Sequence, residues 1–205
     1  MSRYRGPKIR IVRRLGILPG FTAKKTDRDT LPGQHKQRRL SKRKPILNYS
    51  IRLQEKQKLR YNYGLTEKQL LNYIKEAKRL RGSTGVILIQ LLEMRLDNII
   101  FRLGFGNTIP ASRQIINHGH IFINDQKVTI PSFQCQPDDT IQVKDREGSR
   151  ALVNQFLKKR RSDFRPPYLE FNSEKLSGRV KRIASSKDTI LKINELLIVE
   201  YYSRK

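Results

Sequence analysis

Forty-four lysines and arginines stand against eighteen aspartates and glutamates in this 205-residue chain, a formal surplus of +26. That surplus limits the fold before any helix or strand is considered. A compact body carrying it repels itself unless the basic residues stay at the surface and a polyanion neutralises them. Hydrophobic residues make up 37% of the chain and tryptophan is absent, so small cores and a large surface are expected. The length suffices for one large domain or two small ones. Nucleic acid and anionic membrane are the polyanions to weigh. The longest apolar stretch, Val86 to Leu92 with Gln90 inside it, falls far short of the ~20 residues of a membrane span. Nucleic acid is the partner that remains.

A single cysteine, Cys135, excludes an internal disulfide and a cysteine-rich zinc site, and fits a reducing compartment. The opening MSRYRGPKIRIVRRLG is basic but has no apolar centre or small-residue cleavage site. It does not read as a signal peptide, and it lacks the serines and amphipathic spacing of a transit peptide.

Residues 1–44 hold fifteen Lys or Arg against Asp27 and Asp29. Such a segment buries too little apolar surface to offset its ordering entropy, which predicts an extended arm in the absence of a partner. Helical signals begin after Pro45, with Leu53 and Leu59 among basic residues. Thr66 then stands as an N-cap before Glu67, Leu70, Leu71 and Ile74. Beyond GSTG at 82–85, Leu88, Leu92, Leu96, Ile99 and Leu103 recur every three or four residues, predicting one helix that ends at Gly104 and Gly106. Arg95, Asn98 and Arg102 fall on a flank of that stripe. A shorter helix is expected from Thr108 and Pro110 to Gly119. IFIND and QKVTI read as strands about a turn at Asp125 and Gln126, and IQVK after the turn at 137–139 as a third strand. Residues 145–167 read as a connector with room for a short helix through Leu152 and Phe156. The β-branched and aromatic ending INELLIVEYYS predicts a strand.

Two helices followed by small strands, with arginines on the helices and histidines at the junction, make a compact basic module. MRLDNIIFRLGFGNTIPASRQIINHGHIFINDQKV resembles the small RNA-binding module named after the fourth protein of the small ribosomal subunit. RYRGPKIRIVRRLG, PGQH, LQEKQKLRYNYGLTEKQ, GSTG with LLEMRLDN, and INELLIVEYYSR extend the resemblance, in order, to the family of that ribosomal protein. The two ends are most similar to its plastid members. The resemblance implies an α+β fold: a basic arm at 1–44, a helical domain at 45–93 completed by 168–205, and an RNA-binding module of two helices and short strands at 94–157. It implies a primary binder of 16S ribosomal RNA that nucleates assembly of the subunit body, touches the fifth small-subunit protein near the messenger entry, and contributes to translational accuracy. It also implies residence in ribosomes of the plastid stroma, with the bacterial cytoplasm as the alternative. No cofactor is implied. Some members carry a Cys-x2-Cys zinc pair in the first block, where this chain has Ile9 and Val12, so no metal is expected.

A protein at an RNA junction must use phosphate, 2′-hydroxyl and shape, because duplex RNA hides its base edges in a deep groove. The planar guanidinium fork of arginine suits phosphate. On these grounds the RNA-contact candidates in the opening block are Arg3, Tyr4, Arg5 and Lys8. After the Pro32–Gly33 turn come Gln34, His35 and Arg38, and in the first helical region Lys56, Lys58 and Arg60. In the module they are Arg95, Arg102, Arg113, His118, His120, Asn124 and Lys127. The plainer readings are solvated helix faces for the arginines, structural histidines at the corner, an ordinary loop at 34–35, and core packing for Tyr4, Tyr61 and Tyr63. His118 and His120 with distant Cys135 lack the ligand count for zinc.

Two other functions compete. RLD at 95–97 is similar to a pseudouridine synthase motif, some of those enzymes carrying the same module, but the chain has no room for their catalytic domain, and Asp97 reads better as a helical ion-pair partner. A free RNA-binding regulator would share the module and leave the subunit. GSTG at 82–85 lacks the lysine of a nucleotide-binding loop. HGHI at 118–121 lacks the second, lysine-rich signature of the synthetases it is similar to.

Overall fold

A computed structural model describes residues 4–24, 26, 28, 30–33, 48–159 and 165–203. The candidates Arg3, Gln34, His35 and Arg38 lie outside the described residues. The fold is α+β, helices combined with one antiparallel sheet, and the chain divides into two compact units: residues 1–85 with 191–205, and residues 86–190.

In the first unit, α1 (Lys8–Leu15), α2 (Asn48–Asn62), α3 (Glu67–Arg79) and α8 (Glu195–Ser203) are the principal elements. The expected extended arm is corrected over its described part. α1 is closed by Gly16, whose φ of 92° suits a residue without Cβ and whose N–H donates to the Val12 carbonyl. Beyond it Leu18 and Phe21 are buried, and the Gly20 N–H donates to Asn62 Oδ1 at 3.0 Å. Two apolar anchors and one buried hydrogen bond tie down a segment that its charge alone made look unfoldable. α3 starts where the sequence predicts, in a capping box: the Thr66 hydroxyl accepts the Gln69 backbone N–H, and Gln69 Oε1 accepts the Thr66 backbone N–H.

The expected C-terminal strand is a helix. α8 packs on α2, burying Ile198, Tyr201 and Tyr202 at helical spacing, while Arg52 donates to Glu200 at 2.6 Å. Asn194 Oδ1 accepts the Leu196 N–H at 3.1 Å and supplies a start signal. The packing surface of α2 outweighs the β propensity of LLIVEYY.

The second unit holds α4 (Thr84–Glu93, whose first two residues belong to the other unit), α5 (Leu96–Leu103), α6 (Ile109–Asn117) and α7 (Glu147–Lys158), with strands β1 (Ile121–Ile123), β2 (Gln126–Lys127), β3 (Thr140–Val143), β4 (Leu169–Asn172) and β5 (Ser177–Val180). The sheet is antiparallel in the order β2-β1-β3-β5-β4. Its core joins Leu96, Ile99, Ile100 and Leu103 of α5 and Ile115 and Ile116 of α6 to Ile121, Ile141 and Val180 of the sheet. Residues 168–190 therefore depart from the expected division. β4 and β5 extend the module's sheet, and only 191–205 lie with the first unit.

The single helix expected from 86 to 103 is two helices. Arg95 is extended (φ −71°, ψ 139°) and bridges Gln134. The Cys135 N–H donates to the Met94 carbonyl, and the Leu96 and Asp97 N–H groups donate to Phe133 and Pro131 carbonyls. A distant stretch, 131–135, supplies the partners that an unbroken helix would have supplied itself. The β1–β2 turn sits one residue earlier than expected. Asn124 and Asp125, at φ 47° and 64°, form a two-residue hairpin loop of the left-handed kind.

Candidate nucleic-acid interface

The arginines of the stripe do not face outward. Arg95 is 3% exposed and grips Asp97 with two parallel bonds, Nε to Oδ1 at 3.0 Å and Nη2 to Oδ2 at 2.8 Å. Arg113 Nε donates to the same Asp97 Oδ2 at 2.7 Å and its side chain is 19% exposed. Arg102, also 3% exposed, grips Glu93, Nη2 to Oε1 at 2.6 Å and Nε to Oε2 at 3.1 Å. Asn98 Nδ2 and the Tyr168 hydroxyl donate to that Glu93 as well. Burial, then the Glu93 carboxylate, hold the Tyr168 phenol well above its ordinary pKa. These bidentate pairs satisfy carboxylates buried inside the unit. Arg95 and Arg102 are thus corrected from RNA contacts to parts of the core, and Arg113 from a surface residue to a half-buried ion-pair partner. The break at Arg95 turned the expected flank inward.

Basic groups do gather at the end of α6. Gly119, at φ +72°, turns the chain from α6 into β1, and the Lys127 side chain lies where a Cβ on Gly119 would stand. The His118 and His120 rings are 6.0 Å apart. His118 and Lys127 are exposed, and the His120 carbonyl accepts the Lys144 N–H at 2.8 Å. Lys144 is thereby set beside the histidines at the end of β3, with exposed Arg146 at the start of α7. His120 Nδ1 is 3.0 Å from the hydroxyl of buried Ser149 on α7, which fixes the ring. Burial first, then the charges of His118, Lys144 and Arg146, hold its imidazole below the ordinary pKa. Of the nearby carboxylates, Asp145 accepts from Arg150 at 3.0 Å. The corner can take a phosphate from several directions at once, and the rigid sheet beneath it fixes their spacing. Asn124 belongs to the fold beside it: its amide donates to Asp139 and its carbonyl accepts the Thr140 N–H, closing the hairpin.

Residues 3–93 match the ribosomal protein S4/S9 N-terminal domain, and residues 94–141 match the S4 domain. The chain is 58% identical over its whole length to the small ribosomal subunit protein uS4c of Rhodomonas salina, and 56% identical to that of Oltmannsiellopsis viridis. It is 55% identical to the small ribosomal subunit protein uS4 of Nostoc punctiforme, again with both chains fully covered. The chain belongs to the ribosomal protein S4 family. Within this member the S4 domain match ends at 141, just before Lys144 and Arg146, yet the sheet carries both residues onto the same corner as His118 and Lys127.

In the first unit of this S4-family chain, the candidates separate by partner. Lys56 is buried at 4% exposure, donating to Glu67 at 3.0 Å and lying 4.9 Å from the Tyr201 ring centre. It is corrected to a core residue. Burial works against ionisation of Glu67, but bonds from Tyr202 and Lys56 outweigh it and hold the carboxyl below its ordinary pKa. Lys58 pairs with Glu55 at 2.6 Å and Arg60 lies over the Tyr61 ring at 4.7 Å. Tyr4, 41% exposed, meets Tyr61 edge-on at 5.5 Å and Phe21 at 6.0 Å, and Lys8 lies 5.4 Å from the Phe21 ring centre. Arg5 is exposed.

Sequence reasoning missed Lys144 and Arg146, whose only signal is the VKDREG run that follows a predicted strand. It also missed Glu93, the carboxylate that absorbs Arg102, whereas Asp97 is the ion-pair partner that its place beside Arg95 suggests.

Proposed function

We propose that this chain is a structural protein of the small ribosomal subunit, a primary binder of 16S ribosomal RNA that nucleates assembly of the subunit body. The observation that carries this reading is a rigid basic corner, His118, Lys127, Lys144 and Arg146, on the S4 module of a chain similar from end to end to small-subunit proteins. The corner engages phosphate and 2′-hydroxyl groups of folded RNA, while Tyr4, Arg5 and Lys8 extend the contact on the first unit. The role is structural rather than enzymatic. Asp97, the residue a pseudouridine synthase reading requires, is 1% exposed and bound by Arg95 and Arg113, so it is shut away from a uridine.

The resemblance of the whole chain supports contact with the fifth small-subunit protein near the messenger entry, and a share in translational accuracy. The similarity to uS4c proteins supports the plastid stroma, and the Nostoc relative keeps the bacterial cytoplasm as the alternative. The test is sedimentation. The chain stays with the small subunit through a moderate-salt gradient, and its affinity for a junction-containing 16S fragment falls by roughly 0.7–0.9 log units per phosphate contact for each log unit of salt. Release from the subunit, or a flat salt response, overturns the reading.

A further inference from the structure

We infer that Ser149 is a positioning residue: it places the one ring proton of neutral His120 on Nε2, so that a corner of cations also presents an uncharged donor. The use of that donor on RNA rests on the rRNA-binding reading, whereas the position of the proton belongs to the chain alone. A neutral imidazole carries its proton on one ring nitrogen, and the bond made by the other nitrogen decides which. His120 Nδ1 lies 3.0 Å from Ser149 Oγ, and Ser149 is 1% exposed. By distance alone, either group could be the donor. The buried hydroxyl breaks the tie. Ser112, equally buried on α6, donates its hydroxyl to the Thr108 carbonyl one turn back at 3.1 Å. The Ser149 hydroxyl makes no such bond, and His120 Nδ1 is its one hydrogen-bond partner among the described residues. Were Nδ1–H the donor, the hydroxyl proton would be buried without an acceptor, at the desolvation cost of an orphaned group. With Oγ–H donating to Nδ1 the hydroxyl is satisfied, and the ring's own proton falls on Nε2.

The surroundings keep the ring uncharged. The His118 ring is 6.0 Å away, Lys144 follows from β3, and exposed Lys127 and Arg146 come from β2 and the start of α7. Ser149 itself stands in the first turn of α7, whose free N–H groups add the positive end of a helix dipole beside the ring. Of the carboxylates near that turn, Asp145 is held by Arg150 and Glu147 is exposed. Protonation would also make Nδ1 a donor, and would orphan the hydroxyl proton that Ser149 now gives it. Burial and the charges of His118, Lys144 and Arg146 lower the imidazole pKa in the same direction. Nε2 makes no hydrogen bond among the described residues, and the ring is half-buried. A neutral Nε2–H can meet a phosphate or ribose oxygen by position and direction, without releasing a counterion. Lys127, Lys144 and Arg146 supply the charge of the corner, and His120 supplies direction.

The full chain with isotope-labelled histidine nitrogens is read by NMR at about pH 8, above the ordinary imidazole pKa of about 6.5. The Nε2-protonated form of His120 is expected, its resonances identified by their loss in His120→Ala. A dominant Nδ1-protonated form, or an imidazolium at that pH, overturns the inference. Ser149→Ala should give a mixture of tautomers and raise the pH at which the ring protonates. A folded Ser149→Ala with the unaltered spectrum removes Ser149 from its positioning role. Should that variant fail to fold, the spectrum of the unaltered chain and the binding of His120→Ala decide. At the same pH, His120→Ala should weaken binding of the junction-containing 16S fragment by about three- to tenfold, the range of one neutral hydrogen bond, with the log–log salt slope unchanged. A slope smaller by about 0.7–0.9 would mean that a charge was lost, and it overturns the uncharged donor, as does an unchanged affinity. If the unaltered chain binds the fragment no better than an unrelated RNA, it is the rRNA-binding reading that fails, and the spectrum still decides the tautomer.

Discussion

Two groups of basic residues lie within the second unit, and they differ in everything but charge. Arg95, Arg102 and Arg113 are buried or half-buried, each on a carboxylate at 2.6–3.0 Å. His118, Lys127, Lys144 and Arg146 stand at a corner, Lys127 lying over Gly119, with no carboxylate holding them in an ion pair among the described residues. The first group spends its fork on Glu93 and Asp97, the second leaves its cations to a partner. Cationic residues in a strongly basic chain are therefore of two kinds, and an acid within reach decides which. A buried guanidinium cannot remain without its carboxylate, because the desolvation of a lone charge is too costly.

The comparison breaks most visibly if a buried pair is cut. Arg102→Ala leaves Glu93 in the core without its guanidinium, and should cost about 3–5 kcal/mol of folding stability in urea titration. A loss no larger than that of a surface change would mean the pair is open to water and the two groups are alike. Arg113→Ala comes next. Its side chain is half-buried and Asp97 keeps Arg95, so about 1–3 kcal/mol is expected, read as an earlier melt. Normal melting with lost RNA affinity would instead move Arg113 into the second group.

The corner should give the reverse pattern. Lys144→Gln with Arg146→Gln should leave stability within about 0.5 kcal/mol and lower the salt slope of RNA binding by about 1 per residue. An unchanged slope removes them from the interface. The smallest effect is that of pH. Folding holds the His120 pKa below its unfolded value near 6.5. The stability tied to its neutral form is therefore present above that value and is lost as pH falls through the lowered folded pKa. RNA phosphate favours the imidazolium, so binding should tighten as pH falls over the same window. His120→Gln should flatten much of that dependence, and a pH-independent affinity in the unaltered chain would place the histidines in the fold alone.

Much of the framework was readable because its causes are local. Thr66 and Thr108 cap the helices they were expected to cap, through hydrogen bonds within three residues. The three strands of the module follow from alternation and from turn residues, with the first turn shifted by one. The candidate site was half readable. His118 and Lys127 are exposed at the corner as expected, but Lys144 and Arg146 arrive there through β1–β3 pairing, which joins Ile121 to Val143 and Ile123 to Ile141.

By itself, the sequence determined that this protein needs a polyanion, that its cores are small, and where most helices and hairpins begin. Surplus charge, side-chain caps and short-range apolar spacing act without knowing the rest of the chain. Tertiary structure alone decided that the long stripe breaks at Arg95, that LLIVEYY is helical, that 168–190 join the module's sheet, and which arginines are unavailable to RNA. The first three turn on a partner distant in sequence: the carbonyls of 131–135, the face of α2 and the edge of β3. The last turns on Glu93 and Asp97, which are near in sequence but are brought onto the arginines by the break at Arg95 and the packing of α6 on α5. A hydrogen-bond donor or a charge takes the state that its nearest partner in space makes cheapest, and proximity in space is what the order of residues does not state.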